Sequence, residues 1–189
     1  MDAAAASGHC LFDTAIGRCG IAWGPAGIVA VQLPEADDAA TRRRLWGHCA
    51  GEPPEAEPPP PVQDAIAGVV ALMAGERRDL LEVVLDMARV SAFHQRVYHV
   101  ARRIPPGQTR TYGEVAQALG DPQLARAVGQ AMGANPFAPI VPCHRVMAAG
   151  GQPGGFSARG GAVTKLRMLG IEGALEPDLF DPPPPGLSR

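Results

Sequence analysis

Apolar residues follow two different rhythms along this chain, and the change falls near residue 90. After a small-residue leader, Cys10–Trp23 and Gly27–Leu33 read as strands joined by the turn Gly24-Pro25-Ala26-Gly27. Ala36–Trp46 reads as a short helix. The stretch Glu52–Pro61 contains Pro53, Pro54 and Pro58 to Pro61 and is expected to be an exposed, stiff loop. Val62, Ile66, Val69, Val70 and Met73 recur on one face of a helix over Val62–Ala74, and a strand is predicted near Leu80–Leu85. The first half is therefore mixed α and β.

From Ser91 the period becomes helical. Ser91 is placed to cap a helix through Arg103 with Phe93, Val97, Val100 and Ala101 inward. Thr111 caps a second helix, Tyr112–Leu119, which stops at Gly120. Asp121 and Pro122 supply the cap and first residue of a third, running to about Gly133. Two short helices around a glycine turn make a helix-turn-helix candidate. In the last of them Leu124, Val128, Ala131 and Met132 form the apolar stripe, while Arg126, Gly129, Gln130 and Gly133 face the other way. Glycine weakens a helix by about 1 kcal/mol relative to alanine, so two on an exposed face call for a reason. Close approach of another backbone is one; loose packing is the other. The Pro-rich tail from Asp181 is expected to be disordered.

Composition sharpens this division. The 189 residues carry a formal net charge of −2, and the charge is segregated. Residues 1–90 hold seven basic and thirteen acidic side chains, residues 91–175 nine and three, and residues 176–189 one and three. Only the second segment has the electrostatics of a polyanion binder; a solvated surface is the plainer alternative. The four cysteines, Cys10, Cys19, Cys49 and Cys143, form no C-x-x-C pair. His9, Cys10, Cys19, His48 and Cys49 could converge on a metal, but no zinc-finger spacing supports it, and no metal or other cofactor is expected. No signal-peptide pattern opens the chain, and no apolar run approaches the roughly 18 residues of a membrane span. A reducing, cytoplasmic setting and a free thiol are expected.

Candidate chemistry centres on Val141-Pro142-Cys143-His144-Arg145-Val146. Pro142 suits the first position of a short helix, which places Cys143 in a first turn whose free N–H groups favour a thiolate and lower its pKa. His144 is a base that titrates near neutrality. Sequence neighbours point in different directions, so a water is expected to carry the proton between them. Taken alone, such a cysteine is more often a buried structural residue.

Read outward, the segment resembles the active-site region of the O6-alkylguanine-DNA alkyltransferases, also called methylated-DNA–protein-cysteine methyltransferases. The blocks run from about Phe93 to Gly173: Ile104-Pro105-Pro106-Gly107-Gln108-Thr109, Thr111-Tyr112-Gly113-Glu114, Ala125-Arg126-Ala127-Val128-Gly129, Gly133-Ala134-Asn135-Pro136, the Pro142–Val146 core, Gly155-Phe156-Ser157 and Ile171-Glu172-Gly173. A weaker match covers Gly75-Glu76-Arg77. The resemblance implies an α+β chain. A small ribonuclease-H-like α/β domain would occupy residues 1–90, with its Pro-rich loop at 52–61. A mostly helical, winged-helix-like domain with the helix-turn-helix would follow at 91–175, and a disordered tail at 176–189.

It also implies a monomer acting on double-stranded DNA that carries O6-alkylguanine, approached from the minor groove, with no membrane partner. The base is flipped out, and the alkyl group passes irreversibly to Cys143, once per chain. O4-alkylthymine is a further expected substrate. The implied roles are specific. Cys143, His144 and Glu172 form a nucleophile–base–carboxylate relay. Arg126 fills the vacated stack, and Ala125, Ala127 and Gly129 lie against the backbone. Tyr112 crowds the phosphate and offers its hydroxyl to N3, and the Ser157 N–H faces O6. Carbonyls of Cys143 and Val146 read the exocyclic amine. Met132 and Phe156 wall the pocket, Asn135 braces the cysteine segment and Lys165 supports the Ser157 loop. Two departures stand out: the loop from Phe156 to Gly161 is longer than in some members, and Phe156 replaces a frequent tyrosine. The rival readings are a helix-turn-helix regulator with a structural Cys143, a thiol hydrolase, and a sensor of alkylated DNA without turnover.

Overall fold

The computed structural model describes residues 5–175; the tail expected to be disordered falls outside them. Strands β1 (Gly8–Thr14), β2 (Gly17–Gly24) and β3 (Gly27–Gln32) form an antiparallel meander. The stretch Cys10–Trp23, expected as one strand, is thus a hairpin that folds back between Thr14 and Gly17. No Asn-Gly or Asp-Gly pair announces this turn. Gly17 alone takes the left-handed backbone (φ 124°), and the Thr14 hydroxyl closes the loop on its carbonyl at 2.7 Å.

Helix α1 (Asp38–Trp46) is capped by the Asp37 side chain, and α2 (Pro60–Met73) starts on prolines, where the missing N–H costs nothing. α2 buries Val62, Ala65, Gly68, Val69, Leu72 and Met73, so its inward stripe differs slightly from the expected one, and Ile66 and Val70 lie at its margin. The Pro-rich stretch is not a free loop. Pro53 is buried, and the chain runs along β1, with His9 N–H donating to Pro54 and Ala56 N–H donating to His9. It covers an edge that would otherwise expose unpaired backbone groups.

The strand predicted near Leu80–Leu85 does not form; a single bridge joins Leu85 to Ile28. Its carbonyls are turned elsewhere. Those of Leu80, Leu81 and Val83 all accept from Arg102 Nη2, at 2.7, 3.2 and 3.0 Å. Leu80, buried, adopts φ 57° to make that bend.

Helix α3 (Ala92–Arg102) is capped by Ser91. A two-residue strand, β4 (Arg110–Thr111), leads into α4 (Tyr112–Ala118), whose Thr111 and Glu114 form a complete capping box. A 3₁₀ turn at Pro122–Leu124 precedes α5 (Ala125–Gly133), so the long third helix is divided in two. Strand β5 (Val146–Met147) pairs in parallel with β4, and α6 (Ala162–Ile171) ends the described chain.

Two large apolar clusters hold these elements, with a smaller one that seats α1 through Leu45 on Ala22, Val29 and Ala30. One gathers the meander and α2 but also takes in Ile140 and Met168 from the second half. The other packs α3, α4 and α5 around Phe137, Val141 and Val146. Val31 N–H also bonds the Pro136 carbonyl at 2.8 Å, so both halves support the segment that leads to Cys143.

Candidate active site

Cys143 begins a single 3₁₀ turn, Cys143–Arg145, and Pro142 stands before it with φ −82° and ψ 67°, outside the helix. The expected short helix with Pro142 as its first residue is therefore absent, and a three-residue turn sums few peptide dipoles. The electrostatic expectation changes with it. Cys143 is buried, and burial pushes its thiol up; the Asn135 side chain, the Lys165 charge and the N–H groups of Cys143 and His144 only partly oppose this. Burial thus favours the thiol over the thiolate.

Behind the sulfur lies a sealed group of charges. His144 Nε2 sits 2.7 Å from Glu172 Oε1, and both residues are buried. Burial lowers the His144 pKa, against the raising effect of Glu172. Arg145 grips the same carboxylate, Nη2 on Oε1 at 2.7 Å and Nε on Oε2 at 2.9 Å, and its Nη1 donates to the Ile104 carbonyl at 2.7 Å. Burial would raise the Glu172 pKa, but the bonds from His144 and Arg145 outweigh it and hold the carboxyl at about 2. Arg145 escaped the sequence reading. Its signal was a lone cation inside an apolar stretch, Val141 to Val146. His144 Nδ1 is buried without a hydrogen-bond partner among the described residues.

Lys165 is fully buried on α6 and donates to the Val146 carbonyl at 2.6 Å. Its Nζ lies 5.7 Å from the centre of the Tyr112 ring and 5.9 Å from that of Phe156, and burial lowers its pKa to about 8. The same bond engages the Val146 oxygen, which was expected to face a base. Asn135 Nδ2 donates to Val141 O at 2.8 Å, and its Oδ1 accepts from Phe137 N–H at 2.9 Å.

In front of the sulfur a cleft of about 570 Å³ opens, with Cys143, Tyr112, Met132, Phe156 and Ser157 around it. Ala125, Arg126 and Gly129 of α5 form its outer edge, and Arg126 is exposed. Ala127 and Val146 do not line it, the latter being buried beneath. A Cβ added at Gly133 would meet nothing within 4 Å, and one at Gly129 would make ordinary contact with the Tyr112 ring at 3.9 Å. Internal packing therefore does not require these glycines. Gly154 differs: at φ +69°, its Cβ would fall 2.8 Å from the Tyr112 hydroxyl. That hydroxyl's pKa is raised by burial and by Cys143.

The early histidines and cysteines do not converge. His9 Nδ1 bonds the Pro53 carbonyl, and Cys49 Sγ lies 3.5 Å from Leu45 O. Among the described residues no group of three or more His, Cys, Asp or Glu could hold a metal, and no helix is long and apolar enough to cross a membrane.

Residues 92–174 match the family described as 6-O-methylguanine DNA methyltransferase, DNA binding domain. A methylated-DNA–protein-cysteine methyltransferase of Mycolicibacterium paratuberculosis is 44% identical over 124 residues, covering 62% of this chain and 73% of that protein. A DNA base-flipping protein of Thermus thermophilus is 44% identical over 107 residues, 57% of this chain and 70% of that one. The crystal structure of Mycobacterium tuberculosis OGT in complex with DNA superposes with a TM-score of 0.71 at 33% identity, over 88% of this chain and 92% of the other. The chain belongs to the methylated-DNA–protein-cysteine methyltransferase family.

Proposed function

We propose that this chain repairs O6-alkylguanine, and O4-alkylthymine, in double-stranded DNA by taking the alkyl group onto Cys143 in a single, irreversible turnover. The observation that carries the reading is the position of Cys143: it lines an open cleft, and the residue that follows it, His144, is bonded to the buried Glu172 carboxylate.

A guanine O6 lies inside the duplex, so the nucleotide must first be flipped out. Helix α5 would enter the minor groove, its small residues Ala125 and Gly129 against the backbone and Arg126 in the gap left by the base. Ala127, outside the cleft lining, would lie against the backbone with them. Tyr112 would press on the target phosphate and offer its hydroxyl to N3, and Met132 and Phe156 would hold the base between apolar surfaces.

The sulfur then displaces the guanine from the alkyl carbon. The S–C bond forms as the C–O6 bond breaks, and the electron pair moves onto the purine, where the Ser157 N–H faces O6. The thiol proton passes through water to His144 Nδ1, and Glu172 stabilises the imidazolium through Nε2. A proton returned to the purine completes the balance. Burial favours the thiol over the thiolate, so loss of the proton is part of the transfer step. Lys165 would offset the charge that develops on the sulfur. The product is a thioether, whose thiolate is a poor leaving group and which water and ordinary side chains do not cleave, hence one event per chain.

The small meander with α1 and α2 fits a ribonuclease-H-like arrangement, and α3 to α5 with the β4–β5 pair a winged-helix-like one. A monomer in the cytoplasm is the working assignment. The test is mass spectrometry after incubation with an O6-methylguanine duplex: one added methyl on the Cys143 peptide is expected. Repeated turnover by a trace of protein would reject single use, and binding without methyl uptake would make the chain a sensor.

A further inference from the structure

The loop that carries Phe156 and Ser157 is held from outside its own half of the molecule. Arg44, on α1, donates through Nη2 to the Ser157 carbonyl and through Nη1 to Glu35 Oε1 at 3.1 Å. Glu35 in turn accepts at its backbone oxygen from Arg159 Nη1, at 3.5 Å, on the same loop. Phe156 and Ala158 pack against the cluster built on the meander and α2. We propose that Arg44, balanced by Glu35, is a positioning residue for alkyl transfer, which gives the N-terminal half a role in the reaction. This rests on the reading of the Ser157 N–H as the donor to O6.

The Ser157 N–H belongs to the peptide between Phe156 and Ser157. One neighbour of that peptide is fixed by the Phe156 ring, and the other by the grip of Arg44 on the next carbonyl. With both flanks held, the intervening N–H keeps one direction and needs no reorganisation when charge develops on O6. The ion pair with Glu35 also means that Arg44 brings little free charge toward a DNA phosphate, so its effect should fall on the chemical step rather than on binding.

Single-turnover transfer from an O6-methylguanine duplex tests this. In Arg44→Gln the rate at saturating DNA should fall about 10-fold, less than the loss of a whole oxyanion donor. The dissociation constant for DNA should change by less than about 2-fold, since few phosphate contacts are involved. Arg44→Lys, which keeps one donor, should recover much of the rate. A merely structural role is separated by a double-mutant cycle with Ser157→Pro, which deletes the N–H: Arg44→Gln should have no further effect there. Wild-type rates in Arg44→Gln, or an undiminished effect in the proline background, would overturn the proposal. Should Ser157→Pro not fold, hydrogen exchange at the Ser157 amide decides instead. It should quicken in Arg44→Gln, and an unchanged rate sinks the idea. Failure of the wild type to take up methyl would refute the repair reading itself, a separate outcome.

Discussion

In front of Cys143 the protein leaves space; behind it, almost none. The cleft is bordered by small or apolar residues and an exposed arginine, with glycines that nothing within the chain demands. The rear is filled by His144, Arg145, Glu172 and Lys165, each nearly sealed from solvent and most of them bonded within 3 Å. Buried charge is costly unless fully partnered, so the rear has to be rigid to exist at all. The front has to be vacant to admit a base. Recognition and chemistry are thus divided on either side of one sulfur atom, and substitutions on the two sides should fail differently.

The largest effect is at the boundary itself. Cys143→Ala should abolish alkyl uptake, read by intact mass, while binding to an O6-methylguanine duplex persists; loss of both would mean that the sulfur organises the cleft. Next comes Glu172→Gln at the rear, which leaves the Arg145 charge without its carboxylate. A cost of about 3–5 kcal/mol is expected in denaturant unfolding, together with a loss of transfer. If stability were unchanged, the rear would not be the rigid half of the comparison.

Acid should reveal the same carboxylate. Its pKa is about 2 in the fold, against an ordinary 4.5. The stability it contributes is complete above 4.5 and is lost as the pH falls from there toward 2. Thermal melts across that window should show the decline in the wild type and a shallower one in Glu172→Gln.

On the open side, Arg126→Ala should slow transfer in duplex on the order of 10-fold, and less in single strands where no stack needs holding open. Its melting behaviour should match the wild type within about 0.5 kcal/mol, because the side chain is exposed. Equal losses on both substrates would remove the stack-filling role. The smallest change is Thr111→Ala, which breaks the capping box of α4 and should cost about 1 kcal/mol in unfolding experiments.

The two sides were also unequally visible in the amino-acid sequence. Caps at Ser91, Thr111 and Asp121, the face of α5, and the Cys143-His144 pair follow from local spacing, and all are present. The rear is built from long-range encounters. Arg145 and Glu172 are 27 residues apart, and nothing local in either says that they meet. The bond from Lys165 to the Val146 carbonyl is equally invisible locally: lysine is rarely sealed in, and only tertiary packing sets it under Val146. The same limit explains the missing strand: the apolar run from Leu80 has strand-like content, but a side chain from α3 captured its carbonyls. The thiol pKa was misjudged because a first-turn argument considers the backbone and omits the desolvation that encloses it.

Gly154 points to a weakness in a residue that carries no reactive group of its own. Give that residue even one methyl, and Tyr112 has to swing away from its place beside the entrance. A screen for alleles silenced by chance mutation should therefore recover changes at this inert glycine alongside those that strike the nucleophile.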